Sequence, residues 1–354
     1  MAFRDTPTPI RPGEELQLAN LEPFLRSHLG TPTGSFSVQQ FPSGHSNLTY
    51  AIQLGDHEMV LRRPPFGSKV KSAHDMSREF RVLSRLHAVY PLAPEVLLFC
   101  DDVSVLGAPF YLMAPIRGII LRRDPPAGLP FSPATARSVC ESFIDNLARL
   151  HAIDYATIGL AEFGKPAGYL ERQVKGWIER YDGSKTHDIP EVEKLSLWMR
   201  QSLPQQGAAA LIHNDYKLDN VVLDSENLTQ IIGVLDWEMA TIGDSLSDVG
   251  TVLAYWVEAG DPDDLQSIRW GPTNFPGSLT RRELVERYAR TAGRNVENMS
   301  FYLVFARFKL AVIVQQIYYR YHLGLTKDSR FAGMSQVVQI LMRAAWHAAQ
   351  SSSI

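Results

Sequence analysis

The chain has 354 residues, which is enough for two or three domains or two lobes, and enough to bury a large core without disulfides. Its 35 Lys and Arg residues against 38 Asp and Glu residues give a net charge of −3, which excludes a basic protein that coats nucleic acid by bulk charge. Hydrophobic residues make up 45% of the chain and charged residues 21%, proportions that are typical of folded globular proteins and argue against disorder.

Two cysteines, Cys100 and Cys140, cannot form a disulfide framework or a cysteine-based zinc site, and their apolar neighbours predict buried thiols in a reducing compartment. The first thirty residues contain no apolar run that fits a signal peptide. The longest apolar stretch, Phe301 to Leu325, is interrupted by three basic residues, so it predicts a core helix and not a membrane span. We therefore expect a cytoplasmic protein with no membrane and no nucleic-acid partner.

The first third of the chain has the pattern of a small antiparallel sheet with one helix. Short β-rich runs separated by Gly-Asp and Pro-Ser-Gly turns predict hairpins, and apolar residues at spacings of three and four predict a helix. The predicted strands are Ser35–Val38, Leu48–Leu54, Met59–Arg62, Glu95–Cys100 and Phe110–Met113, and the predicted helix follows Met76, Phe80, Leu83 and Leu86.

After Gly118 the pattern becomes mostly helical. Ser132-Pro133 predicts a helix start, and Thr280 with Glu283 forms a capping-box pattern whose helix can end at Gly293. Further helices are predicted at 298–322 and 331–349, and short strands at 211–212, 221–223 and 231–235. The order predicts an α+β protein with two lobes: an arm and an N-terminal lobe over 1–113, a hinge over 114–118, and a C-terminal lobe over 119–354.

The densest polar cluster runs from His213 to Asn220, and Asp236 follows sixteen residues later, after an apolar strand. Ordinary turn chemistry also uses Asp and Asn, but it does not need a His, two Asp and an Asn at this spacing. Phosphoryl transfer does need a carboxylate near the attacking hydroxyl and oxygen ligands for Mg²⁺. The pattern H-x-D-x-x-x-x-N followed by an Asp predicts Asp215 as the base, with His213 beside it, and Asn220 and Asp236 as metal ligands.

These motifs, with Asp236-Trp237-Glu238 in place of the kinase D-F-G, resemble the aminoglycoside phosphotransferase family within the protein-kinase-like fold. The resemblance covers residues 36–345 and extends to Gly243–Gly250, where it implies that Asp248 braces the catalytic loop. The sequence of residues 61–65, 78–83 and 213–220 resembles the branch of this family that is fused to acyl-CoA dehydrogenases in animals. The family implies an ATP- and Mg²⁺-dependent kinase.

The nucleotide side of the sequence carries weaker signals. No G-x-G and no G-x-x-x-x-G-K-[ST] occurs, which leaves the turn containing Gly44, Ser46 and Asn47 in the position of the phosphate loop, although a plain hairpin turn explains it as well. The resemblance places Arg62 where kinases have the phosphate-binding Lys, with Glu79 as its partner or, alternatively, as half of a solvated surface pair. It further implies that Lys217 neutralises the transferred phosphate, and that the adenine contacts Met113, Ala114 and Ile116.

The last 54 residues carry six basic side chains and one acidic side chain, a net charge of +5. Because the C-terminal helices of this fold wall the acceptor pocket, this excess favours an anionic acceptor, such as a hydroxy acid or a hydroxyacyl-CoA, over a polycation. The alternative is that these charges face solvent. We therefore expect a kinase of a small-molecule hydroxyl group; the other hypotheses are an aminoglycoside antibiotic kinase and a nucleotide-binding pseudokinase that regulates a partner.

Overall fold

The computed structural model describes residues 6–30, 33–42, 47–66, 75–326, 328–351 and 354. The chain folds as two compact units, a first and a second. The first comprises residues 1–120 and 220–240, and the second comprises residues 121–219 and 241–354.

The first unit is built on a five-stranded antiparallel sheet. Its strands are β1 Phe36–Gln40, β2 Leu48–Leu54, β3 His57–Arg63, β4 Val96–Cys100 and β5 Phe110–Met113. They lie in the order β1-β2-β3-β5-β4. Along β2 every second residue is buried, from Leu48 to Leu54, and these side chains pack with Leu21 and Leu25. This alternation is the period-two pattern of the sequence, and the predicted antiparallel hairpins are confirmed.

Three helices accompany this sheet: α1 Leu18–His28, α2 Met76–Leu86 and α3 Val103–Leu106. The predicted helix α2 begins where the side chain of Asp75 accepts a hydrogen bond from the Arg78 N–H, and it buries Glu79 among its apolar residues. Helix α1 was not predicted. It contains Pro23, and proline disfavours the interior of a helix because it has no backbone N–H to donate.

A second sheet of three short strands, β6 Ile119–Ile120, β8 Val221–Leu223 and β9 Ile231–Val234, also belongs to the first unit. Gly118 and Gly233 permit it: a Cβ on Gly118 would lie 2.3 Å from the Leu223 carbonyl oxygen, and one on Gly233 would lie 2.8 Å from the side chain of Ile116. This pairing draws residues 220–240 into the first unit, whereas the sequence order predicted them in the C-terminal lobe with the rest of 119–354.

The second unit is mainly helical, as expected. Ser132 caps the helix that begins at Pro133 by accepting the Thr135 N–H. The capping box at Thr280 and Glu283 is present at the start of the helix that begins at Arg281, and Gly293 ends that helix with φ +61°. The elements are α4 Pro133–His151, α5 Tyr169–Asp182, α6 Pro190–Gln201, β7 Ala209–Ile212, β10 Thr241–Asp244, α7 Ser245–Tyr255, α8 Asp263–Ser267, α9 Arg281–Ala292, α10 Met299–His322 and α11 Met334–Ser351.

Helix α10 forms the centre of the second unit and packs against α7 and α11. It is long and apolar enough to cross a membrane by length and composition, but 78% of its most apolar window is buried inside the protein. Two basic residues of this helix, Arg307 and Lys309, are buried with the apolar side chains. A buried cation needs polar partners, so each must reach one.

Candidate active site

The catalytic loop, defined here as residues 213–219 of the second unit, follows β7 and carries Asp215. Both carboxylate oxygens of Asp215 are engaged: Oδ1 accepts a hydrogen bond of 2.7 Å from the Tyr255 hydroxyl, and Oδ2 accepts one of 2.9 Å from the Lys217 Nζ. Burial alone would lower the pKa of Lys217, but the neighbouring Tyr255 and Asp215 raise it above its usual value, so the ammonium stays charged. Asp215 is therefore held in one orientation by two donors.

Tyr255 was not predicted as a site residue. It ends helix α7, forty residues after Asp215, and its sequence neighbours are the buried apolar residues of that helix, which indicate only a core position. The aromatic ring also contacts Lys217, whose Nζ lies 5.0 Å from the ring centroid.

The catalytic loop is braced by the buried carboxylate of Asp248 in helix α7. Its two oxygens accept the backbone N–H groups of His213 and Asn214, both at 2.7 Å, and His151 Nε2 lies 3.1 Å from Oδ2. Burial opposes ionisation of Asp248, but the hydrogen bond from His151 and the nearby imidazoles outweigh it and lower the pKa of this carboxyl. The bracing contacts implied by the family resemblance are thus present in this chain.

His213 supports the loop from inside the protein. Its side chain is fully buried, and its Nδ1 accepts the backbone N–H of Asp215 at 3.3 Å. The ring is buried and contacts the backbone of Asp215, and the catalytic role of His213 stays a prediction.

In the first unit, a buried guanidinium organises three carboxylates. Arg62 Nη1 lies 3.1 Å from Glu79 Oε1, and its Nη2 lies 3.0 Å from Asp236 Oδ1 and 3.6 Å from Glu238 Oε2. The expected Arg62–Glu79 pair is present and is buried, not a solvated surface pair. Burial alone would lower the pKa of Arg62, but these carboxylates raise it well above its usual value. The guanidinium of Arg62 therefore links Glu79 to Asp236 and Glu238 within this unit.

The predicted metal ligands Asp236 and Asn220 lie on neighbouring segments of the first unit. The Leu235 N–H donates to the Asn220 carbonyl oxygen at 2.8 Å, and Asp236 follows with a left-handed backbone, φ +68°, and a side chain that is 32% exposed. Among the described residues no group of three His, Cys, Asp or Glu side chains is placed to hold a metal ion. One carboxylate and one amide oxygen fit Mg²⁺, which takes several of its ligands from phosphate and water.

The predicted phosphate turn is described only in part, since Gly44 and Ser46 lie outside the described residues. Asn47, which follows them, is buried, and its Nδ2 donates to Glu238 Oε2 at 2.6 Å. Glu238 was not predicted as a site residue. It occupies the position of the D-F-G glycine, and its contacts with Asn47 and Arg62 join residues 191 and 176 positions apart, which no local spacing indicates.

The three predicted adenine contacts lie at the end of β5 and just after it. Met113 pairs within the sheet, and the Ala114 N–H donates to the Glu95 carbonyl oxygen at 2.8 Å. The Ala114 N–H is thus already hydrogen-bonded in the structure, and the adenine contacts stay predictions. The Ile116 side chain covers Gly233.

The basic residues of the last 54 positions do not form one wall. Arg307 donates to the Ala344 carbonyl oxygen, Arg330 pairs with Asp328, and Arg343 pairs with Asp264. Lys309 donates to Asn214 of the catalytic loop, Arg320 is exposed, and Lys327 lies outside the described residues. Counting charged residues over the last 54 positions could not separate buried from exposed basic side chains. Arg307 and Lys309 are buried because they lie on the core helix of the second unit.

Comparisons with known proteins identify the family of this chain. A family described as "Phosphotransferase enzyme family" matches residues 37–296. The chain is 34% identical over 341 residues to acyl-CoA dehydrogenase family member 10 of Mus musculus and 36% identical over 302 residues to acyl-CoA dehydrogenase family member 11 of Gallus gallus. These alignments cover 96% and 83% of this chain but 32% and 38% of the two relatives, so the chain spans about a third of their length.

Solved structures give the same fold. A protein of Ralstonia eutropha classed with the aminoglycoside phosphotransferases has a TM-score of 0.79 at 28% identity, and the match covers 95% of this chain and 99% of that one. Choline kinase of Cryptosporidium parvum has a TM-score of 0.60 at 12% identity, covering 93% and 94%, and an aminoglycoside phosphotransferase solved with ADP and hygromycin B has 0.60 at 14%, covering 93% and 98%. At these low identities the last two show the kinase-like fold alone.

Proposed function

Because the chain belongs to the phosphotransferase enzyme family, a family of kinase-like fold, we propose that it transfers the γ-phosphoryl group of ATP, with Mg²⁺, to the hydroxyl group of a small molecule. The observation that carries the proposal is the state of Asp215: its carboxylate is fixed by Tyr255 and Lys217 on a loop braced by Asp248. A pseudokinase would not need a carboxylate oriented in this way.

In this proposal Asp215 orients the acceptor hydroxyl group and accepts its proton as the oxygen attacks phosphorus, and Lys217 supplies positive charge beside it. Arg62, fixed by Glu79, would contact the phosphates, and Gly44, Ser46 and Asn47 remain the predicted phosphate-binding residues. Met113, Ala114 and Ile116 border the base. Asn220 and Asp236 would hold Mg²⁺, which neutralises charge on the phosphate oxygens when bound.

We further propose an acyl acceptor, a hydroxy acid or a hydroxyacyl-CoA. One observation supports it: the chain resembles part of proteins that are named acyl-CoA dehydrogenases.

The experiment is an acceptor screen on the purified protein with ATP and Mg²⁺. Hydroxyacyl-CoA thioesters, free hydroxy acids, kanamycin, choline and ethanolamine are tested in parallel, ADP release is measured, and mass spectrometry identifies a phosphorylated product. The Asp215→Asn variant is the control for contaminating kinases. Acceptor-dependent ADP release with an acyl acceptor supports the proposal. Transfer to kanamycin or choline alone would refute the acyl acceptor, and nucleotide binding without transfer to any acceptor would favour the pseudokinase.

A further inference from the structure

A buried lysine of the core helix contacts the catalytic loop. Lys309 is 6% exposed, and its Nζ donates to two atoms of Asn214: the carbonyl oxygen at 3.1 Å and the side-chain Oδ1 at 3.3 Å. Its remaining side faces the ring of Trp177, whose centroid is 5.9 Å from Nζ. An ammonium group in an apolar core is costly without hydrogen bonds, and here Asn214 accepts two of them.

Asn214 is the residue of this loop that most needs such support. Its backbone has φ +66°, a left-handed conformation that residues other than glycine rarely adopt. Asp248 accepts its N–H, Lys309 donates to its carbonyl oxygen, and the Tyr169 hydroxyl donates to its Oδ1 at 3.3 Å. Partners on three sides hold a conformation that would otherwise be unfavourable, and the next residue is Asp215.

We propose that Lys309 is a positioning residue of the phosphoryl transfer: its ammonium group holds Asn214 in the left-handed conformation and so orients the carboxylate of Asp215. The inference rests on the proposed function, because it assigns a task to Asp215. It does not require contact of Lys309 with either substrate.

The charged and titratable groups that act on Lys309 lie on α5, on α7 and on the catalytic loop. Asp248 on α7 and Asp215 on the catalytic loop favour the ammonium form, whereas Arg180 on α5 and burial oppose it. Burial has the largest effect and lowers the pKa of Lys309 to about 8. Tyr169, which shares Asn214 with Lys309, stays neutral there because burial raises its pKa far above that value. Near pH 8 the ammonium group therefore becomes a neutral amine, a weaker hydrogen-bond donor, and kcat should decline.

The test compares Lys309→Met, Lys309→Arg and a control, Arg307→Met, in the full chain. Arg307 is buried on the same helix but donates to the Ala344 carbonyl oxygen, so its loss should reduce stability without disturbing the loop. Since misplacing a catalytic group by about 1 Å costs ~10²-fold, we expect Lys309→Met to lower kcat by ~10–100-fold. The KM for ATP should change less than about twofold, and Arg307→Met should keep kcat within about twofold.

The pH profile separates positioning from a merely structural role. The wild-type kcat should fall above about pH 8, and Lys309→Arg should lack this alkaline limb because a guanidinium stays charged. If Lys309→Met is folded and keeps the wild-type kcat, or if Lys309→Arg keeps the alkaline limb, the inference is wrong. If Lys309→Met does not fold, the Lys309→Arg profile decides alone. Failure of the proposed function looks different: the wild type itself transfers no phosphoryl group, and the inference then falls with it.

Discussion

Replacement of Asp248 by Asn should destabilise the protein far more than its small chemical change suggests. The two carboxylate oxygens accept the backbone N–H groups of His213 and Asn214, each at 2.7 Å, in a fully buried position. An amide offers one acceptor oxygen, so one of these N–H groups loses its partner and faces the NH₂ group. An unmet buried donor costs about 1–3 kcal/mol and loss of a charged acceptor adds a similar amount, so we expect the free energy of unfolding to fall by about 3–5 kcal/mol.

Urea unfolding followed by tryptophan fluorescence measures this loss, with Glu286→Gln as the matched control. That change is also carboxylate to amide, but Glu286 is exposed on α9, so its effect should stay within about 0.5 kcal/mol. The pKa of Asp248 is lowered in the folded state, so its stabilisation is complete above about pH 4 and is lost as the pH falls further. Acid should therefore destabilise the wild type more than the variant. A loss below about 1 kcal/mol in Asp248→Asn would refute the bracing role.

Three further outcomes follow from the site. Asp215→Asn should lower kcat by ~10²–10⁴-fold, because the proton of the acceptor hydroxyl group loses its base. The nucleotide Kd, measured by calorimetry, should stay within about twofold of the wild-type value. An unchanged kcat would exclude Asp215 as the base. Asp236→Ala should abolish the gain in ATP affinity that Mg²⁺ provides, which titration with and without Mg²⁺ measures; a full gain in the variant would exclude Asp236 as a ligand. Folding lowers the pKa of Lys309 from its usual 10.5 to about 8, so between these values the unfolded chain binds more protons and the free energy of unfolding should rise with pH. Chemical unfolding over this pH range should show that rise in the wild type and not in Lys309→Met. An identical rise in the variant would contradict the assignment.

Most of the fold could be predicted from local sequence patterns. Period-two burial in β2 and the capping box of α9 depend on neighbours a few residues apart, which is why both could be predicted. The assignment of residues 220–240 could not, because it depends on the pairing of β8 with the two-residue strand β6, about a hundred positions earlier. A strand this short has no period of its own.

The candidate site shows the same division. The motif spacing indicates four site residues. His213, Asp215 and Asn220 lie within the motif H-x-D-x-x-x-x-N, and Asp236 follows sixteen residues after it. Tyr255 and Lys309 contact the catalytic loop from other parts of the sequence, and each is preceded or followed by apolar residues that indicate only a core position. Glu238 lies two residues after Asp236, but its partners Asn47 and Arg62 are far away in the sequence. The left-handed backbone at Asn214 and Asp236 has a partial signal, since Asn and Asp tolerate this conformation better than most residues.

The arginine at position 62 has a consequence for chemical labelling. Reagents that acylate amines, including reactive ATP analogues, modify a lysine only in its deprotonated form, and a guanidinium resists them. Arg62 carries no amine, and the raised pKa of Lys217 keeps its amine protonated at neutral pH. An amine-directed ATP probe should therefore leave both positions unmodified even when nucleotide is bound.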